Sequence, residues 1–324
     1  MDKKNISWKE AFMASPGPES IKESVILSLK GLCMGTADII PGVSGGTIAL
    51  ITGIYEKLLM AIKSINIIAL KRLIRFDIKG SLSEIHVRFL LSLFFGIGIA
   101  IISLARIMNY LIHNETLLVT SLFLGLIAAS IFVVGKKVEN WMGNGGVSFI
   151  IGTILSYCIV GLIPVATPEE HWFILLSGFV AICAMILPGL SGAFILLILG
   201  KYEFITGTLK NPFDIENFIT IIIFCTGCLG GLMGFSRVLN FLLLRWHNLT
   251  LAFLTGLMAG SMRKIWPWKE VLEKVMIRGE LHVVREQNIL PGEYGWGFWS
   301  AAGLIITGFI AVIVIERLSS KEKY

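Results

Sequence analysis

Ala37-Asp38-Ile39-Ile40-Pro41-Gly42-Val43-Ser44-Gly45-Gly46-Thr47 interrupts one long apolar stretch, and Ile186-Leu187-Pro188-Gly189-Leu190-Ser191-Gly192-Ala193 interrupts another. Proline removes a backbone donor and glycine relaxes the chain, so each motif breaks a helix inside a segment apolar enough to enter a bilayer. Backbone freed at that depth is tolerated only where protein or a watery cavity satisfies it. The stretches 21–62 and 171–209 are therefore expected to be broken helices or re-entrant hairpins.

The two motifs are copies. Gly31–Glu56 aligns with Gly178–Glu203, with identities at Ala37/Ala184, Pro41/Pro188, Gly42/Gly189, Ser44/Ser191, Gly45/Gly192, Gly53/Gly200, Tyr55/Tyr202 and Glu56/Glu203. Apolar similarity alone would match aliphatic residues but not Pro, Gly, Ser, Tyr and Glu together. Further along, Arg106, Asn109, Gly125 and Ser130 fall on Arg237, Asn240, Gly256 and Ser261, after a longer basic connection in the first half.

Uninterrupted apolar runs of spanning length, roughly 20 residues, occur at 89–112, 117–135, 146–164, 217–243, 248–262 and 297–316. Each half thus reads as one broken hairpin followed by three crossings. Three is odd, so the second copy enters from the opposite face. The expected fold is an all-α polytopic membrane protein of two inverted repeats, 21–164 and 165–317, flanked by a cytoplasmic segment 1–20 and a cytoplasmic tail 318–324. Inverted repeats with discontinuous helices point to a transporter whose site lies at the repeat interface near the midplane.

Composition agrees. Of 324 residues, 55% are hydrophobic and 15% charged, which excludes an ordinary soluble enzyme or nucleic-acid-binding domain. The formal charge of +6 is concentrated on the face shared by the N-terminus, the 63–88 and 136–145 connections and the C-terminus. The positive-inside rule makes that face cytoplasmic and the protein a multi-pass component of the bacterial cytoplasmic membrane. The first twenty residues carry Lys3, Lys4 and Lys9 without an apolar core, so no cleavable signal peptide is expected. The five cysteines lie in apolar stretches, and Cys225-x-x-Cys228 lacks a second Cys/His pair, so neither metal nor cofactor is expected.

Ser-Gly after each break opens a new half-helix with unpaired N–H groups, the kind of end that attracts phosphate. Gly42, Ser44, Gly45, Gly46 and Thr47 in the first half, with Gly189, Ser191 and Gly192 in the second, are therefore candidates for a two-fold anion cradle. Arg106 and Arg237, each followed three residues later by Asn, add a planar fork suited to phosphate, and an arginine at bilayer depth calls for an anionic partner. Asp38, Glu56 and Glu203 are candidates for coupling to H+ or Na+, or for ion pairing. Lys30 is a weaker anion contact. Trp266, Trp268, Trp296 and Trp299 flank an outer segment, 263–297, and mark the membrane interface.

The paired Ala-Asp-Ile-Ile-Pro-Gly-Val-Ser-Gly-Gly-Thr and Ile-Leu-Pro-Gly-Leu-Ser-Gly-Ala segments resemble those of the bacterial polyprenyl-phosphate transporter family, over about residues 21–317. The resemblance implies transport of undecaprenyl phosphate from the outer to the cytoplasmic leaflet for reuse as a carrier of cell-wall precursors. The headgroup would sit between the hairpins with the tail in lipid, and one repeat would rock against the other. Two alternatives share the architecture: an ion-coupled transporter of a small anion, and an undecaprenyl-pyrophosphate phosphatase. The phosphatases continue the turn with Arg-Ser and carry an acidic helix; here Gly45-Gly46 and Gly192-Ala193 stand instead, without an acidic cluster.

Overall fold

A computed structural model describes residues 7–40, 43–165, 167–277, 280–292 and 294–321. The chain is mostly helical. The first broken segment comprises α2 (Ile21–Ile39), α3 (Gly45–Ile51) and α4 (Tyr55–Ser64), after a short α1 (Trp8–Ala14). The second comprises α10 (His171–Ile186), α11 (Gly192–Ile198) and α12 (Tyr202–Thr208). Between α3 and α4 the axis turns by 116°. Gly53 and Gly200, identical in the sequence repeat, take φ of +70° and +62° just past α3 and α11. That left-handed geometry ends a helix at little cost only for glycine.

The connection 63–88, read from sequence as a basic loop, folds into α5 (Ile67–Ile74) and α6 (Ile78–Glu84), tied by the Arg72–Glu84 ion pair at 3.0 Å. Long helices follow in each half: α7 (Val87–Asn114), α8 (Thr116–Gly135) and α9 (Gly146–Ile159) in the first, then α13 (Ile215–Arg245), α14 (His247–Ile265) and α15 (Trp296–Lys321) in the second. Five helical stretches, including α9 with the turn before it, are long and apolar enough to cross a membrane. The protein is multi-pass. The expected sixth crossing, α14, falls short of that apolarity because His247, Asn248, Arg263 and Lys264 stand at its ends, while Leu254, Leu257 and Met258 between them are fully buried.

The all-α expectation needs one correction. Within 263–297 lies an antiparallel hairpin of β1 (Lys269–Ile277) and β2 (Glu280–Asn288), in which Lys269 faces Asn288 and Ile277 faces Glu280. Lys269 Nζ holds Glu286 Oε2 at 2.9 Å, so the hairpin is tied across its strands by charge.

Helix directions follow from close glycine contacts. Gly31 meets Leu93 and Gly35 meets Ile97, so α2 runs alongside and parallel to α7. Gly227 meets Leu175 and Gly231 meets Phe179, so α10 runs parallel to α13. Gly152 meets Phe253 and Gly260 meets Ser156, making α9 parallel to α14; Gly125 meets Ile305 and Gly308 meets Leu122 and Leu126, making α8 parallel to α15. The third long helix of each half therefore packs on the second long helix of the other half. Asn248 reaches Glu139 and Thr255 approaches Gly135, so α8 and α14 are antiparallel. With tight turns at Glu115 and Trp246, these directions set α2 and α10 opposite to one another.

The breaks meet in the core. Ser44 Oγ lies 3.1 Å from the Leu187 carbonyl and 3.3 Å from the Met185 carbonyl, and its lone pair accepts the Gly46 N–H at 3.1 Å. Gly189 N donates to Thr47 Oγ1 at 2.9 Å, and Tyr55 OH donates to the Ile186 carbonyl at 3.2 Å. Ser44 and Thr47 are each 1% exposed, so water cannot replace a lost partner. An unpaired buried amide costs about 1–3 kcal/mol. Thr47→Val keeps the shape of the side chain and removes the acceptor. It is expected to destabilise the folded protein by about 1–3 kcal/mol, read as a lowered melting temperature in detergent; an unchanged melt would show that this contact does not hold the halves. A Cβ on Gly96 would fall on the Ser28 carbonyl, whereas Gly98 faces open space. Gly96→Ala should lower the melt, by about 1–3 kcal/mol as overpacking does, and Gly98→Ala should leave it unchanged.

Candidate functional site

The residues expected to form an anion cradle divide into two groups. Ser44, Gly45, Gly46 and Thr47 do stand against Gly189, and Ser191 and Gly192 are buried as well. Pro41 and Gly42 lie outside the described residues, as does the side chain of Asn109. Several cradle donors are already occupied by protein: Asp38 Oδ1 takes the Gly45 N–H at 2.7 Å, Ser44 takes that of Gly46, and Thr47 that of Gly189. The carboxylate of Asp38 stands where an anion on the Gly45 amide would stand.

The arginines are directed elsewhere. Arg237 donates to the Met233 carbonyl one turn back and, at 3.3 Å, to the Ile65 carbonyl that ends α4. It therefore ties the first hairpin to α13 of the second half. Arg106, near the far end of α7, is exposed. Glu56 faces His247 across 3.2 Å and joins α4 to the start of α14. Glu203 occupies the first turn of α12, the repeat position of Glu56.

Two lysines hold the outer ends of the broken segments. Lys30 Nζ donates to the Thr52 carbonyl at 3.0 Å, past the end of α3. Lys201, only 1% exposed, donates to the Thr167 carbonyl at 2.8 Å, and the hydroxyl of Thr167 closes on the Leu199 carbonyl past the end of α11. Phe173 and Phe204 lie over its ammonium at 5.8 and 5.6 Å, the kind of cation–π contact that offsets burial of charge. Sequence reading passed over Lys201 because its repeat partner is Ile54; a lysine directly after the left-handed Gly200 was the available signal.

Each end of the helix bundle opens into a charged cleft. One, of about 780 Å³, is bounded by the chain before α2, the α3–α4 turn and α4, the start of α7, and the ends of α8 and α15. Lys22, Lys30, Lys57 and Lys137 line it against Glu23 and Glu316. Both ends of the described chain thus share one mouth. The other cleft, of about 460 Å³, lies at the opposite end of α14, where Arg263, Lys264 and Lys269 surround Glu286. Lys264 stands 5.0 Å over the Phe194 ring of α11, so this cleft abuts the second broken segment. Among the described residues no group of three or more His, Cys, Asp or Glu could hold a metal ion, and the five cysteines are unpaired thiols.

Comparison with known proteins agrees with the architecture. Residues 34–281 match the family described as undecaprenyl phosphate translocase-like. A polyprenyl-phosphate transporter of Vibrio cholerae is 43% identical over 300 residues, which cover 90% of this chain and 96% of that protein. A polyprenyl-phosphate transporter of Staphylococcus aureus is 29% identical over 257 residues, 74% of this chain and 85% of that protein. No solved structure matches. These relatives are named as transporters and not as enzymes. Broken, mutually packed apolar segments and the match across most of its length agree that this chain belongs to the undecaprenyl phosphate translocase-like family.

Proposed function

We propose that the protein carries a polyprenyl phosphate, undecaprenyl phosphate in particular, from the outer to the cytoplasmic leaflet of the bacterial cytoplasmic membrane, returning the carrier lipid for reuse. The observation that carries this reading is 43% identity to a polyprenyl-phosphate transporter over nearly the whole of both chains. The two halves, 21–164 and 165–317, act as inverted repeats; the opposed directions of α2 and α10 and the paired glycines Gly53 and Gly200 support that assignment. Lys and Arg concentrated at the mouth shared by both ends of the chain make that mouth cytoplasmic.

The headgroup is bound where the breaks meet. Its phosphate oxygens would take the Gly45, Gly46 and Gly189 amides now held by Asp38, Ser44 and Thr47, with Gly42, Ser191 and Gly192 allowing close approach. This exchange requires the broken segments to part, so binding and opening are one event. Arg237, bound to the Ile65 carbonyl, supports a state closed on the cytoplasmic side, because it draws α4 against α13. Among the described residues the repeat-equivalent pair, α12 and α7, shows no comparable contact, and Arg106 is exposed. The two arginines thus serve the phosphate in alternation, one engaged and one presented. Asp38, Glu56 and Glu203 are the groups to which H+ or Na+ coupling would fall.

The test is reconstitution in liposomes, measuring movement of undecaprenyl phosphate between leaflets. The wild type is expected to move it, and Arg106→Ala and Arg237→Ala to reduce movement to background while the protein still melts cooperatively. Lysine at either position should be impaired, since an ammonium lacks the bidentate fork. Wild-type rates in both alanine variants would remove the arginines from the site. Absence of movement by the wild type under pH and Na+ gradients would overturn the lipid reading in favour of a water-soluble anion.

A further inference from the structure

We propose that the 780 Å³ cleft at the mouth shared by both chain ends is a second phosphate-monoester site, where the headgroup rests after leaving the breaks. This rests on the transport reading above and adds to it a place of release.

Four observations carry it. Lys22 and Lys30 of α2, Lys57 of α4 and Lys137 just past α8 come from three segments of the chain and converge on one cleft, against two carboxylates. One of those carboxylates is already committed: Glu23 Oε2 accepts the Glu19 N–H at 2.8 Å within the helix cap of α2. Apolar side chains, among them Ile26, Met60 and Phe89, form the rest of the wall, so the cleft offers cations for a phosphate and an apolar surface for the first carbons of a chain. Finally, α3 connects it to the breaks. Its first turn is at Ser44–Gly46 and its last residue, Ile51, lines the cleft. Its seven residues span about 10 Å at about 1.5 Å each.

Lysine suits such a place better than arginine would. An ammonium is a strongly hydrated point charge on a flexible stem, which attracts phosphate without the fixed bidentate grip of a guanidinium. A release site needs that weaker hold. Gly53 sits on the cleft floor with open space where a side chain would project.

The experiment uses the full chain in detergent with three probes: farnesyl phosphate, inorganic phosphate and farnesol. Affinity is measured for each, together with the rate at which an amine-acylating reagent modifies Lys57 and Lys137, with exposed Lys210 as reference. Farnesyl phosphate is expected to slow modification of Lys57 and Lys137 and not of Lys210. The double variant Lys57→Gln/Lys137→Gln should bind it about tenfold or more weakly, the scale of a lost charge-assisted contact, while Lys210→Gln binds normally.

Protection by farnesyl phosphate alone assigns the cleft to the lipid headgroup. Equal protection by inorganic phosphate also supports a phosphate site and assigns it to the anion irrespective of the tail. No protection by either phosphate, protection by farnesol alone, or unchanged affinity in the double variant would overturn the proposal. Leaflet transport measured on the same preparation separates the two readings. Transport without protection removes the cleft and keeps the transporter; protection without transport does the reverse.

Discussion

A helix broken inside a bilayer leaves amides and carbonyls that lipid cannot satisfy, and here side chains of the first broken segment complete the second break, while Asp38 and Ser44 close the first. Ser44 binds the carbonyls at the end of α10, Gly189 donates to Thr47, and Tyr55 reaches Ile186. The fold depends on this contact, which fixes where the start of α3 meets the end of α10. The helices that deliver the breaks must also lie close to their neighbours, which explains why Gly31, Gly96, Gly227 and Gly231 face backbone at contact distance. The same interaction sets the chemistry. The donors that close the core are backbone amides of the kind that bind anions, and Asp38 already supplies a carboxylate to one of them.

Much of this was legible in the sequence because it is written in local chemistry. Pro-Gly-x-Ser-Gly marks a helix break wherever it falls, and its repetition with Gly53/Gly200 and Tyr55/Tyr202 marks a duplicated hairpin. What was not legible depends on partners distant in the chain. The β hairpin was hidden because its charged alternation, Lys269-Glu270-Val271-Leu272-Glu273, sits in a segment read for its charge and aromatics. Lys201 has no counterpart in the first half, so comparison of the repeats could not find it. The burial of α14, the cleft that gathers Lys22, Lys30, Lys57 and Lys137 with Glu316, and the reach of Arg237 to Ile65 are tertiary facts. A repeat can place two arginines in equivalent positions without saying what each one touches.

Near-equivalent sequences occupy unequal surroundings here. Glu56 faces His247, and α4 lies on α13; α12 carries the matched Tyr-Glu pair yet, among the described residues, packs on α13 rather than along α7. The hold of α4 on α13 is apolar as well as polar: Leu59, Ala61 and Ile62 are buried, and Leu59 and Ala61 share one apolar cluster with Leu239 and Leu243 of α13.

The packing also decides what can move. If each half were a separate body, one repeat could rock against the other. The structure does not divide that way, since α9 of the first half is bound along α14 and α15 of the second along α8, with Gly125, Gly152, Gly256 and Gly308 pressed against backbone. Parting the halves would expose those surfaces and separate α8 from α14 at the centre, where more of α8 is buried than of α13 or α15. The less costly division runs elsewhere. The α8–α9–α14–α15 group is a common core, and the pairs α2–α7 and α10–α13 flank it, each carrying its own broken segment. Movement of those pairs against the core would open the breaks on one side at a time while leaving the exchanged helices in place.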